Sequence, residues 1–90
     1  MMSRITQHTD VISDEVDGVM TLCHTGTTSY FELNETGAEI WSACASPVTS
    51  DDLVAHLVAV YPDEDELTLR AEVDRFVGAL GEQGLLRTEG

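Results

Sequence analysis

The side chains that could carry out nucleophilic or metal chemistry stand far apart in this chain. The three histidines, His8, His24 and His56, are scattered, and no close cysteine or histidine pair has the spacing of metal ligands. Cys23 and His24 are neighbours, but consecutive side chains of a strand point to opposite faces. Cys44 falls near the apolar side of a predicted helix, which favours an inert buried thiol. These patterns predict a protein that is not an enzyme and that has no metal and no cofactor.

Motifs of catalytic nucleophiles and of phosphate binding are missing as well. No serine stands in a nucleophile elbow, and no glycine-rich loop is placed to hold a phosphate. A small enzyme is kept as a rival hypothesis, which a convergent polar site or stoichiometric zinc would favour.

The composition predicts one small domain with a strong negative charge. The 90 residues are 42% hydrophobic, and 17 acidic side chains against 4 basic ones give a net charge of -13. This charge repels nucleic acids and anionic membranes, so we expect no nucleic acid and no membrane as a partner, and a neutral or basic partner is favoured. The two cysteines are too few for a disulfide framework, and residues 1–10 lack an apolar signal core, which together predict a cytoplasmic protein.

The first half of the chain predicts three antiparallel strands. Two of them, residues 11–16 and 19–24, are joined by Asp17-Gly18, a pair typical of a two-residue hairpin turn. The third, residues 29–33, alternates so that Phe31 and Leu33 share one face.

The two turns predict a single register for these strands. Pairing Val16 with Val19 places Leu22 opposite Phe31 and Met20 opposite Leu33. The predicted core face then consists of Met20, Leu22, Phe31 and Leu33, with His24 also on that side. The opposite face consists of Thr21, Cys23, Tyr30 and Glu32.

Three helices are predicted to follow. The first runs over about residues 35–45 after a cap at Asn34 and ends before a proline. The second begins after Thr49, which forms a capping box with Asp52. Its predicted core stripe is Leu53, Leu57, Val60 and Tyr61. The third covers about residues 65–82, with apolar residues at helical spacing: Leu69, Val73, Phe76, Val77 and Leu80.

This layout is an α+β domain with winged-helix character, a three-stranded antiparallel sheet followed by three helices. We expect a single domain over residues 1–90, with residues 1–10 loosely ordered and Leu85-Leu86 folding back onto the core. The third strand pairs with the second alone, so its outer side presents free N–H and C=O groups. If the third helix lies alongside, the two form a groove that could bind an extended peptide by β-augmentation.

The charged and apolar residues of this groove each have a simpler interpretation. The acidic run at residues 63–66 opens the would-be recognition helix and argues against DNA binding. The simpler interpretation of acids such as Glu32, Glu72 and Asp74 is a solvated face that keeps the protein soluble. The alternative hypothesis is that they attract basic residues of a peptide. The apolar residues of the groove are predicted to be mainly core residues, and only those nearest the strand edge would touch a ligand. They are Phe31, Leu33, Val73, Phe76 and Val77.

Taken together, the chain resembles the PqqD-like family, the RiPP recognition elements that bind leader peptides of ribosomally made, modified natural products. The resemblance covers roughly residues 11–87. It is carried by the Asp17-Gly18 hairpin, the segment from Tyr30 to Trp41 with Leu33, Asn34, Thr36, Gly37, Ile40 and Trp41, the helix start at residues 49–53, Tyr61, Phe76, Leu80 and residues 84–86.

The resemblance implies that the leader lies as an added strand between the third strand and the third helix. The residues that it assigns to peptide binding are Ser29, Tyr30, Phe31, Glu32, Leu33, Leu69, Glu72, Val73, Phe76 and Val77. Standing alone, the chain looks most like the recognition proteins of lasso-peptide pathways, which present a precursor to a leader peptidase and a macrolactam-forming cyclase. The alternative is the pyrroloquinoline quinone accessory protein, which presents its precursor to a radical-SAM enzyme.

Overall fold

The elements of the fold follow the predicted order, with two additional strands. A computed structural model describes residues 3–27 and 29–89. Their elements are β1 (Arg4–Gln7), β2 (Val11–Val16), β3 (Val19–His24), β4 (Ser29–Leu33), α1 (Glu35–Ala43), α2 (Ser50–Val60), α3 (Glu66–Glu82) and β5 (Leu86–Glu89). β2, β3 and β4 form an antiparallel sheet in that order, and β1 pairs with β5 in a separate two-stranded sheet. The predicted α+β fold is confirmed, and its third strand is β4.

The turn between β2 and β3 adopts the conformation that its two residues favour. Asp17 has φ 53° and Gly18 has φ 80°, which is the left-handed backbone of a two-residue hairpin. Val16 pairs with Val19, and Leu22 pairs with Phe31 on β4, as predicted. This register buries Leu22 completely against the helices.

The helix caps stabilise the ends that the sequence indicates. The side chain of Asn34 accepts a hydrogen bond of 2.7 Å from the N–H of Gly37 at the start of α1. Thr49 and Asp52 form the reciprocal capping box of α2, with bonds of 3.0 and 3.1 Å. The bond donated by the backbone N–H of Thr49 lowers the pKa of the Asp52 carboxyl. α1 ends at Ala43, two residues before the predicted end.

The core lies between the sheet and the three helices and centres on Trp41, of which 2% is exposed. Leu53 and Leu57 of α2 are buried as predicted. Val60 is exposed, so the prediction that it belongs to the core stripe is wrong. Val54, the residue after Leu53, is buried instead, so the core face of α2 includes Leu53, Val54 and Leu57. No helix in the described part of the chain is long and apolar enough to span a bilayer.

The prediction that residues 1–10 are loosely ordered is wrong for Arg4–Gln7. These residues form β1, and Ile5 is buried in the core. The backbone of Ile5 exchanges bonds of 2.6 and 2.9 Å with Val48, and the side-chain amide of Gln7 donates to the carbonyl of Trp41. β1 therefore supplies donors to the carbonyls of Trp41 and Cys44 at the end of α1.

The two thiols lie in different environments and should react differently. Cys44 is buried, and desolvation raises the pKa of its thiol to about 11. Cys23 is half-buried on the sheet. We expect iodoacetamide at mildly alkaline pH to alkylate Cys23 in the folded protein and to leave Cys44 unmodified, because the thiolate is the reactive form. Intact mass spectrometry would show one adduct, and two adducts without denaturant would contradict this prediction.

Candidate peptide-binding site

The outer edge of β4 is open in the described part of the chain. β4 pairs with β3 on one side, and no other described strand pairs with it on the other. An open edge presents backbone donors and acceptors that an extended peptide can pair with.

The register shows which residues direct their main chain to this edge. Val16 and Val19 flank the two-residue turn, so they form a hydrogen-bonded pair, and hydrogen-bonded pairs recur at every second residue. The main chain of Phe31 therefore bonds to β3, as do those of the residues two positions before and after it. The N–H and C=O groups of Tyr30 and Glu32 consequently face the open edge.

The side chains of β4 divide between the two faces of the sheet. Phe31 and Leu33 are half-buried and pack against the core on the helical side. Tyr30 and Glu32 are exposed on the opposite side, as predicted. For Ser29 the structure describes the backbone in β4, and its side chain lies outside the described part.

The predicted residues of α3 lie at different depths. Val73 is fully buried and Leu69 is 4% exposed, so both pack inside the core. Glu72, Phe76 and Val77 are half-buried and reach the surface. The accessible part of the predicted wall is therefore these three side chains, with Leu69 and Val73 beneath them.

α3 meets the junction of β4 and α1 at a glycine. A Cβ atom at Gly37 would lie 2.9 Å from Cε2 of Phe76 and 3.1 Å from Oδ1 of Asn34. The absence of a side chain at Gly37 thus lets the Phe76 ring lie against the first turn of α1, which begins two residues after β4 ends. A Cβ at Gly37 would also lie 3.5 Å from Cβ of Leu33, so this contact places Phe76 near the end of β4.

A hollow of about 220 Å³ lies beside this contact, and the sequence does not predict it. Its polar lining includes Thr36, Thr68 and the ion pair between Glu72 and Arg75, which has an N–O distance of 2.6 Å. Tyr61 also lines it, and its hydroxyl is buried with no hydrogen-bond partner among the described residues. The helical pattern of α2 predicts Tyr61 as an apolar core residue. It cannot predict a hollow between three elements, because the pattern describes only one of them.

Most of the positive charge of the protein is engaged in ion pairs. Arg70 contacts Asp51 at 3.0 Å, and Arg87 contacts Glu89 at 3.6 Å. Together with the Arg75 pair, these contacts engage three of the four arginines, and exposed acids such as Glu32 form no ion pair within the described part of the chain. The exposed surface of the protein is therefore strongly negative.

Two histidines that are distant in sequence come together away from the groove. The rings of His8 and His24 have centroids 5.1 Å apart, and Nδ1 of His24 accepts a bond from the N–H of Gly26. His56 instead contacts Glu39 at 2.9 Å. Within residues 3–27 and 29–89, no group of three or more histidine, cysteine or acidic side chains could hold a metal ion.

The family is decided by a match over most of the chain. Residues 20–86 match the family model of coenzyme PQQ synthesis protein D. The chain belongs to the PqqD family. The match runs from β3 to the start of β5 and confirms the resemblance that the sequence indicates.

Solved structures of similar fold agree with this family. TbiB1, in complex with the TbiA(beta) leader peptide, has a TM-score of 0.81 and 28% identity, with 91% of this chain and 94% of that chain covered. A lasso peptide synthetase B1, complexed with its leader peptide, has a TM-score of 0.79 and 19% identity, with 92% and 96% covered. No curated protein matches the chain significantly.

Proposed function

We propose that this PqqD-family protein is a non-catalytic adaptor that binds the leader region of a ribosomally made precursor peptide. The observation that carries the proposal is the open edge of β4, where the main chains of Tyr30 and Glu32 face outward. The leader would add a strand at this edge, with main-chain bonds for affinity and side-chain contacts for specificity. The similarity to TbiB1, which was solved with a leader peptide, supports this function.

The burial of each residue separates those that would contact the leader from those that would support the proposed groove. Phe31, Phe76 and Val77 are half-buried and would touch apolar side chains of the leader. Leu69 and Val73 are buried, and we assign them the role of holding α3 in place beneath the groove. A charged residue at Val73 would therefore disrupt the core, which makes this position unsuitable for testing binding.

We further propose that the bound leader is delivered to a leader peptidase and a macrolactam-forming cyclase of a lasso-peptide pathway. Holding the leader at the enzyme raises the effective concentration of the core peptide there. The alternative is that the protein presents a precursor to a radical-SAM enzyme in pyrroloquinoline quinone biosynthesis. The family model that matches the chain is that of coenzyme PQQ synthesis protein D, which supports this alternative.

A fluorescence-polarisation titration tests the proposal directly. The probe is the labelled leader of a precursor peptide encoded beside this gene, and the control is a scrambled leader of the same composition. We expect saturable binding in the micromolar range or tighter for the native order alone. Equal affinity for both peptides would mean that the protein recognises only the charge and composition of the leader and not its sequence. No binding of either peptide would contradict the adaptor function.

The negative charge of the exposed surface predicts a salt-dependent affinity. If exposed acids such as Glu32 and Asp74 attract basic leader residues, raising the salt from about 0.05 M to about 0.5 M should weaken binding, because exposed charges are screened. The double variant Glu32→Gln/Asp74→Asn should flatten this dependence. Glu82→Gln, which removes one exposed acid at the end of α3, is the control and should keep the slope. If the affinity of the wild-type protein did not depend on salt, these acids would not attract the leader and would only form a solvated face.

A further inference from the structure

The face of the main sheet that points away from the helices carries several exposed apolar side chains. Four of its large side chains are exposed: Ile12 by 59%, Val16 by 54%, Val19 by 38% and Tyr30 by 73%. They share this face because Ile12 pairs with Cys23, Val16 pairs with Val19, and Cys23 pairs with Tyr30. Single exposed apolar residues are ordinary, whereas this group of four on one sheet face indicates an interaction surface, across which the polar side chains of Asp14, Thr21 and Glu32 form one row.

This sheet face is concave. Ile12, Val16, Cys23 and Tyr30 line a hollow of about 230 Å³, together with Asp14 and Thr21. This volume is several times the roughly 30 Å³ that a water molecule occupies in the liquid, so the hollow has room for an apolar side chain. Well-packed hollows of this kind receive the anchor residues of protein partners.

The charges around the hollow select the kind of partner. Asp14 lines it and Glu32 lies on the same face, while β2, β3 and β4 contain no lysine or arginine. A second copy of this chain would bring these carboxylates against each other on proteins that each carry a charge of -13. The complementary partner instead presents an apolar side chain among arginines or lysines.

We propose that this outer sheet face docks the processing enzyme, through an apolar side chain that enters the hollow between basic residues. This inference rests on the proposed function, because the enzyme and the leader must be held together. Ile12 and Val16 lie on β2, two strands or about 10 Å from the open edge of β4, while Tyr30 gives its side chain to the hollow on the sheet face and its main chain to the edge. The enzyme and the leader can therefore occupy the protein at the same time.

The test separates docking of the enzyme from binding of the leader. The probes are the labelled leader and the purified leader peptidase encoded beside this gene. In Ile12→Asp/Val16→Asp we expect an unchanged affinity for the leader and a loss of about tenfold or more in affinity for the peptidase. Ile12→Thr/Val16→Thr keeps β-branched side chains in the strand and should show the same loss, which guards against misfolding of the first variant.

The matched control is Leu67→Asp. Leu67 is exposed by 74% on α3, outside the sheet, so this variant makes the same chemical change elsewhere. It should bind both the leader and the peptidase as the wild-type protein does. A second readout uses Cys23, which lines the hollow and should be alkylated more slowly once the peptidase is bound, while Cys44 stays buried and unmodified throughout.

Several results would overturn this inference. They are the absence of peptidase binding in the wild-type protein, wild-type peptidase affinity in both sheet variants, and an equal loss of affinity in Leu67→Asp. Light scattering that finds a wild-type dimer, dissociated by the sheet variants, would assign the face to a second copy instead. Failure of the wild-type protein to bind the leader would reject the proposed function, whereas normal leader binding beside any of these results rejects the docking surface alone.

Discussion

Glu32→Pro is expected to weaken leader binding by about tenfold or more while leaving the domain folded. The N–H of Glu32 faces the open edge of β4, so proline removes a donor that the leader would use and places its ring in the path of the added strand. The ladder between β3 and β4 does not use this N–H, and proline is tolerated at such positions of edge strands. Fluorescence polarisation measures the affinity, and thermal unfolding checks the fold.

The matched control for this substitution is Glu32→Ala, which removes the same side chain and keeps the N–H. It should bind the leader with at most the modest loss that an exposed charge explains. Phe31→Pro interrupts the bonds to β3 and should instead lower the melting temperature. Equal affinities of Glu32→Pro and Glu32→Ala would show that the leader does not pair with this edge through Glu32, and would redirect the search to the hollow beside α3.

Local chemistry accounts for the parts of the fold that were predictable from the sequence. The Asp17-Gly18 turn, the cap at Asn34 and the capping box at Thr49 each depend on a few adjacent residues. The turn then determines the pairing register, because a shift by one residue would put Leu22 on the solvent side. These features needed no knowledge of distant parts of the chain.

Other features depend on contacts between distant segments and leave no local pattern. β1 has four residues, is largely polar, and pairs with β5 more than 70 positions further on. Its order comes from that pairing and from the end of α1, neither of which a window of sequence contains. Val60 fits the helical period of α2, but Val54 is buried and Val60 is exposed, a difference that depends on tertiary packing.

The candidate site was predictable in outline, and its depth was not. Alternation along β4 and the helical period of α3 identify the two elements, and they assign Phe31 and Phe76 to the inner faces correctly. The same period cannot separate Val73, which is fully buried, from Phe76, which reaches the surface, because that difference depends on packing against segments distant in sequence. The hollow at Tyr61 joins three elements and likewise has no signal in any one of them.

Ile5→Ala is expected to lower the free energy of unfolding by about 2–4 kcal/mol, because it removes a buried side chain and leaves a cavity. For a domain of this size, such a loss corresponds to a fall in melting temperature on the order of 10–20 °C. Differential scanning calorimetry or circular dichroism would measure it. The effect is large for a strand that the sequence predicts to be loosely ordered, since Ile5 also anchors the backbone bonds to Val48.

The control for Ile5→Ala is Arg4→Ala, a substitution in the same strand at an exposed side chain, which should leave the melting temperature almost unchanged. A large difference between the two variants would show that β1 stabilises the domain through the core contact of Ile5 and not through its charge. Equal melting temperatures of Ile5→Ala and the wild-type protein would mean that the segment adds little to the core, and the domain would then depend on the sheet β2-β3-β4 and the three helices, as the sequence alone predicts.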